Sequence, residues 1–148
     1  MIKYMNGDLL ESGCDYICHQ VNCQGAMRSG IAKQIRERWP IVFERYQLFL
    51  HNECKVFGVI QSVQVNDNQK VINMYSQDDY GYDGRRYTSY DAFHDALCEI
   101  KKYIPHDKRI GFPYNIGCDR GGANWNIISA MIEEILKDHT VEIWKLGE

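Results

Sequence analysis

The sequence predicts a layered α/β domain, with helices packed on a sheet of roughly six strands. Three observations carry this. Short β-rich apolar runs alternate with amphipathic helical stretches, 148 residues suffice for one core, and no repeat or low-complexity tract breaks the alternation. One domain over 1–148 is therefore expected.

Strands are predicted at 2–5, 16–21, 59–65, 70–75, 109–112 and 141–145, where apolar and β-branched residues lie between turn formers. Helical spacing is clearest over 90–104: Phe93, Leu97, Ile100 and Ile104 recur every three or four residues and make one apolar stripe. Thr88 and Asp91 give that helix a start resembling a capping box. A second helix is predicted over 125–137, with Ile128, Met131, Ile132 and Ile135 inward and Asn124 as its cap. A third opens at Ser29 and carries Ile31, Ile35 and Trp39; Pro40 either kinks it or begins a new helix through Leu50.

Composition narrows the classes. No segment approaches the roughly 18 unbroken apolar residues of a membrane span, and the N-terminal residues lack the basic and apolar regions of an export signal. A soluble, cytoplasmic protein with no membrane partner is expected. The net charge is −3 and the 17 basic residues are scattered, so a dedicated duplex-binding face is not expected and nucleic acid is an unlikely partner. The six cysteines lie within apolar runs and are expected as reduced thiols. Cys14, Cys18, His19 and Cys23 lack the two-residue cysteine spacing of a zinc site, so no metal and no cofactor are expected.

Two loops stand out. The first, Asn22 to Ala32, joins an apolar strand to a helix and contains Gly25 and Gly30. Such a turn aims successive N–H groups and the helix's partial positive charge at one point, where an oxyanion can sit without a bulk positive surface. Its glycine spacing is that of a phosphate-binding Walker loop, but Ile31 and Ala32 occupy the Lys and Ser/Thr positions, which argues against a nucleoside triphosphatase. The second, Pro113 to Trp125, also leads from strand to helix and holds Gly117, Gly121 and Gly122. Taken singly, either set of glycines can simply make tight turns. Together they point to a pyrophosphate gripped from two sides.

The ordered set Gly7-Asp8-Leu9-Leu10, His19-Gln20-Val21-Asn22-Cys23-Gln24-Gly25 with Ser29-Gly30-Ile31-Ala32, and Ile116-Gly117-Cys118 with Gly121-Gly122 and Trp125 resembles the macro domains, which bind ADP-ribose. The branch it looks most like contains terminal ADP-ribose protein glycohydrolases and ADP-ribose 1''-phosphate phosphatases. The resemblance implies a three-layer α/β/α sandwich with a mixed sheet, acting as a monomer on ADP-ribose or an ADP-ribosylated substrate. It implies that Asp8 accepts a hydrogen bond from the adenine amine beside Leu9, and that Asn22 approaches the hydroxyls of the terminal ribose. The alternative for Asp8 is an Asx-turn or helix cap. Gly25, Met27, Arg28, Ser29, Gly30 and Ile31 from the first loop, and Ile116, Gly117, Cys118, Asp119, Arg120 and Gly121 from the second, would surround the diphosphate and that ribose. Gln77 opens a polar, aromatic stretch that either closes over that ribose or is an ordinary solvated loop. Trp144 either stacks near the nucleoside or packs as core.

The chain also departs from the branch. Glycohydrolases of this group use a lysine after the fourth strand and an aspartate in the second loop; here no lysine falls between Gln77 and Tyr87, and the aspartate's position is Gly121. Asp119 stands where relatives carry glycine, and Arg28 and Arg120 are added cations. Asp119, with Asn22, is the expected catalytic pair if water is activated for attack at the 1'' substituent. A hydrolase of ADP-ribosyl esters or of ADP-ribose 1''-phosphate is the expectation. The alternatives are a non-catalytic ADP-ribose reader and a poly-ADP-ribose or RNA binder. His19 is expected to be a buried, hydrogen-bonded imidazole rather than a base.

Overall fold

The computed structural model describes residues 2–28, 30–52, 56–78, 85–118 and 121–147. Six strands, β1 (Ile2–Asn6), β2 (Tyr16–Asn22), β3 (Ile60–Gln64), β4 (Lys70–Gln77), β5 (Arg109–Pro113) and β6 (Thr140–Lys145), form one sheet in the order β1-β6-β5-β2-β4-β3. All neighbours are parallel except β3 and β4, so the sheet is mixed, with its antiparallel strand at one edge.

Alternation along the strands builds the three layers. Ile17 and Val21 of β2 and Val71 and Tyr75 of β4 face one core; Cys18, Ile72 and Met74 face the other. Helices α1 (Gly30–Arg38) and α2 (Pro40–Asn52) supply Ile35, Val42 and Tyr46 to the first core. Helices α3 (Tyr90–Tyr103) and α4 (Trp125–Ile135) supply Phe93, Leu97, Ile100, Ile128 and Ile132 to the second. Covered on both faces, β4 is buried from Val71 through Ser76. Each large apolar side chain so buried contributes about 1.5–3 kcal/mol.

Helix starts follow local chemistry. Pro40 begins a new helix, as its fixed φ allows at a first turn. Asn124 caps α4, accepting from the Asn126 N–H. For α3 the cap is Ser89, not Thr88: the Ser89 hydroxyl accepts from the Ala92 N–H, whereas the Thr88 hydroxyl donates to the Gly117 carbonyl. Among the described residues no helix is long and apolar enough to cross a membrane.

The topology locates the site. β1, β6, β5, β2 and β4 run in one direction, so their carboxyl ends share one edge of the sheet. There the adjacent strands β2 and β5 send the chain to opposite faces, β2 toward α1 and β5 toward α4, which opens a crevice between them.

Candidate functional site

A cleft of about 1060 Å3 occupies this crevice. Twelve of the residues singled out from sequence line it: Asp8, Leu9, Asn22, Met27, Arg28, Gly30, Ile31, Gln77, Ile116, Gly117, Gly121 and Trp144. Gly25 and Cys118 do not. The Gly25 N–H is taken by the Tyr46 hydroxyl at 3.0 Å, and the Cys118 N–H by the Asn115 carbonyl at 2.8 Å, so neither amide is offered to a ligand. Ser29, Asp119, Arg120 and positions 79–84 lie outside the described residues.

The first loop divides into a braced half and an open half. Asn22 braces it: Oδ1 accepts from the N–H groups of Gln24 (2.9 Å) and Ala26 (3.3 Å) and from the Tyr46 hydroxyl (2.8 Å), while Nδ2 donates to the Ala26 carbonyl at 2.8 Å. A register shift at the end of β2 pairs Asn22 with Gln77 after Val21 with Tyr75, and the Tyr46 side of the sheet receives both Val21 and Asn22. Asn22 lines the cleft, and most of its hydrogen-bonding capacity shapes the loop. Beyond Ala26 the pattern changes. The N–H groups of Met27 and Arg28, and of Gly30 and Ile31 at the start of α1, find no acceptor among the described residues. Arg28 is exposed beside them.

The second loop is held by a polar chain that sequence reading missed. The Ser76 hydroxyl donates to Gln20 Oε1 at 2.7 Å, Gln20 Nε2 donates to Gln77 Oε1 and Thr88 Oγ1, both at 2.9 Å, and the Thr88 hydroxyl donates to the Gly117 carbonyl at 2.8 Å. Every polar atom of the Gln20 amide is used, so β2, β4 and the second loop are tied at one point. Gly117 has φ +74°, a conformation glycine adopts without strain, and its own N–H has no acceptor among the described residues. A Cβ at Gly121 would lie 2.3 Å from Thr88 Oγ1 and 2.6 Å from the Gly117 carbonyl oxygen, so this position cannot carry the branch's aspartate as the loop is packed.

The far end of the cleft is built by β1 and β6. Asp8 Oδ1 accepts from the Leu10 N–H at 2.9 Å and caps a single 3-10 turn, Leu9–Glu11; its other oxygen has no partner among the described residues. Leu9 packs onto Gly111, where a Cβ would come within 2.6 Å of it. Trp144 lies against Gly7, 3.1 Å from where a Cβ would be, and its indole N–H donates to Glu142 Oε1 at 2.9 Å. Lys145 and Leu146, the next residues along, complete this wall together with Tyr114 and Asn115, which follow β5. Their adjacency to Trp144 and to the second loop was the available sequence signal.

Electrostatics exclude two nucleophiles or bases. Burial pushes the Cys118 thiol up to about 11, which favours the protonated thiol at neutral pH. His19 is fully buried, its Nε2 lies 2.6 Å from Asn73 Oδ1, and burial lowers its pKa to about 4; it is neutral and away from the cleft. Cys14 and Cys18, on opposite faces of β2's layer, are buried thiols, and no cluster of metal-ligating side chains occurs among the described residues.

No family model matches the chain. DNA ADP-ribosyl glycohydrolases of Mycobacterium bovis and Mycobacterium tuberculosis are 43% identical to it over 76 residues, 49% of this chain and 22% of theirs; the match thus spans about a fifth of those relatives. The macrodomain of Mycobacterium tuberculosis DarG superposes with a TM-score of 0.84 at 22% identity over 97% of both chains. Thermosipho africanus DarTG in complex with ADP-ribose superposes at 0.81 with 17% identity, over 97% of this chain and 41% of that one. At such identities the likeness is one of fold.

Proposed function

We propose that this chain, a macro domain by its fold, holds ADP-ribose in the cleft and transfers the ADP-ribosyl group of a 1''-substituted derivative to water. One observation carries the binding reading: two glycine loops from opposite faces of the sheet line the same cleft, with the N–H groups of Met27, Arg28 and Gly117 finding no acceptor among the described residues. N–H groups without acceptors are the complement of a diphosphate. The Arg28 guanidinium adds a charge-assisted donor at the rim. Asp8, Leu9 and Trp144 form a wall suited to a purine, with an acceptor-only carboxylate beside an aromatic face. The complex of the Thermosipho africanus protein with ADP-ribose supports the same ligand.

For hydrolysis the sequence offers Asp119 in place of the missing lysine and the branch's aspartate. In this reading its carboxylate takes a proton from water, the water oxygen bonds to the ribose at C1'', and the acceptor oxygen leaves with its electron pair and gains a proton. Asn22 contributes by fixing the loop that faces the ribose. The name borne by the mycobacterial relatives supports an ADP-ribosyl linkage as the bond cut and brings ADP-ribosylated DNA among the substrates to test, beside an ADP-ribosyl ester and ADP-ribose 1''-phosphate. A second reading, a reader without turnover, is favoured by the absent lysine and by the packing of Gly121, which admits no carboxylate.

Calorimetric titration with ADP-ribose, AMP and ribose 5-phosphate tests binding; the whole molecule should bind well above either part, and equal affinities would refute the ligand. Turnover of the three substrates by wild type and Asp119→Ala then separates the two readings: loss of a wild-type activity supports hydrolysis, and identical background release leaves a reader.

A further inference from the structure

We infer that the ion pair of buried Glu142 with half-exposed Arg109 is the positioning device that holds Trp144 against Gly7 as the nucleoside-side wall of the cleft. The geometry runs outward from Glu142, which is 6% exposed. Its two oxygens receive the Arg109 Nε at 2.7 Å and Nη2 at 2.9 Å, a bidentate fork. The oxygen shared with Nη2 also accepts the Cys14 thiol at 3.4 Å and the Trp144 indole N–H at 2.9 Å. Arg109 is fixed in turn: Nη2 reaches the Ser12 carbonyl at 3.0 Å and its backbone N–H reaches Asp15 Oδ2 at 2.8 Å. Neither Glu142 nor Arg109 lines the cleft, whereas Trp144 does.

An indole has one donor and no acceptor, and here that donor is spent inward. With that donor turned inward the ring has no hydrogen bond to offer a ligand and meets it by contact alone, in a position set by a group that does not line the cleft. This wall recognises a base by stacking and leaves hydrogen-bond selection to Asp8 and the neighbouring backbone. The inference rests on the ADP-ribose reading for what stacks there, but not for how the ring is held.

The test uses a Trp39→Phe/Trp125→Phe parent, in which Trp144 is the sole tryptophan. Glu142→Gln keeps an acceptor oxygen and should preserve Trp144 fluorescence anisotropy. The paired change Arg109→Met/Glu142→Leu removes the anchor without stranding a charge. It should lower the anisotropy and weaken ADP-ribose about fivefold or more, leaving ribose 5-phosphate titration unchanged. Anisotropy equal to the parent's overturns the proposal. Should the paired variant not fold, hydrogen exchange of the Trp144 indole proton in the unaltered protein decides: slow exchange supports the anchor, and exchange as fast as free indole overturns it. These optical and exchange readouts need no ligand, so a parent indifferent to ADP-ribose sinks only the ligand reading.

Discussion

Burial alone raises a carboxyl pKa, yet Glu142 is held down to about 2 because the Arg109 guanidinium hydrogen-bonds it, with Trp144 and Cys14 adding donors. A depressed folded-state value means stability that is present above the ordinary value of 4.5 and lost as pH falls from there to about 2. The loss should reach about 3 kcal/mol, measured as the fall in urea-unfolding free energy between pH 6 and pH 2, and Glu142→Gln should show a correspondingly flatter dependence. Gly121 makes a second single-residue prediction. Gly121→Ala forces a Cβ onto Thr88 Oγ1 and should cost about 2 kcal/mol by thermal unfolding. A variant as stable as wild type would show that the loop yields freely. These residues also mark the limit of what sequence conveys. Asp8, Met27 and Trp144 were legible because each sits within or beside a short local pattern. Gln20, Tyr46 and Glu142 were not, because their roles depend on partners 56 or 57, 24 and 33 positions away. Nothing in a local window says which distant residue a glutamine or glutamate will meet.

At the scale of elements, periodicity placed all six strands and the helical stretches to within a few residues, since apolar spacing is what burial on a sheet selects, but it left open whether Pro40 kinks one helix or begins another. Choosing between Thr88 and Ser89 as the cap of α3 was beyond it: both are hydroxyl residues, and the decision came from the Gly117 carbonyl in the second loop, which takes the Thr88 hydroxyl. Sequence likewise marked the whole first loop as an anion cradle, whereas the fold spends its first half on bracing and frees only its second. That division depends on α2. Tyr46→Phe removes the acceptor for the Gly25 N–H and the donor to Asn22 while keeping the ring, and should cost about 1–3 kcal/mol of stability. Because the proposed reading places this loop beside the diphosphate and the terminal ribose, calorimetry should find ADP-ribose and ribose 5-phosphate weakened together. Weakening of ADP-ribose alone would move the loop's role to the nucleoside end.

For the whole molecule, a ligand that binds only the folded state stabilises it by mass action. At 100 times its dissociation constant, ADP-ribose should add about 2.7 kcal/mol and raise the melting temperature by roughly 5–10 °C, with AMP doing much less. Engagement of one diphosphate in a cleft, on a chain of net charge −3, should leave this shift little changed between 50 and 200 mM salt. A steep decline would instead indicate a polyanion as the natural ligand. The pairing of β1 with β6 has its own corollary. Among the described residues β1 has no other neighbour in the sheet, so on the ribosome it must wait for residues 140–145 to emerge before it can join, after both glycine loops have been made. Gly7 and Trp144, 137 positions apart in sequence, touch only then. On the proposed reading, capture of a nucleoside therefore waits for the sixth strand, and a nascent chain halted before it would lack the Gly7–Trp144 contact that builds the base-side wall.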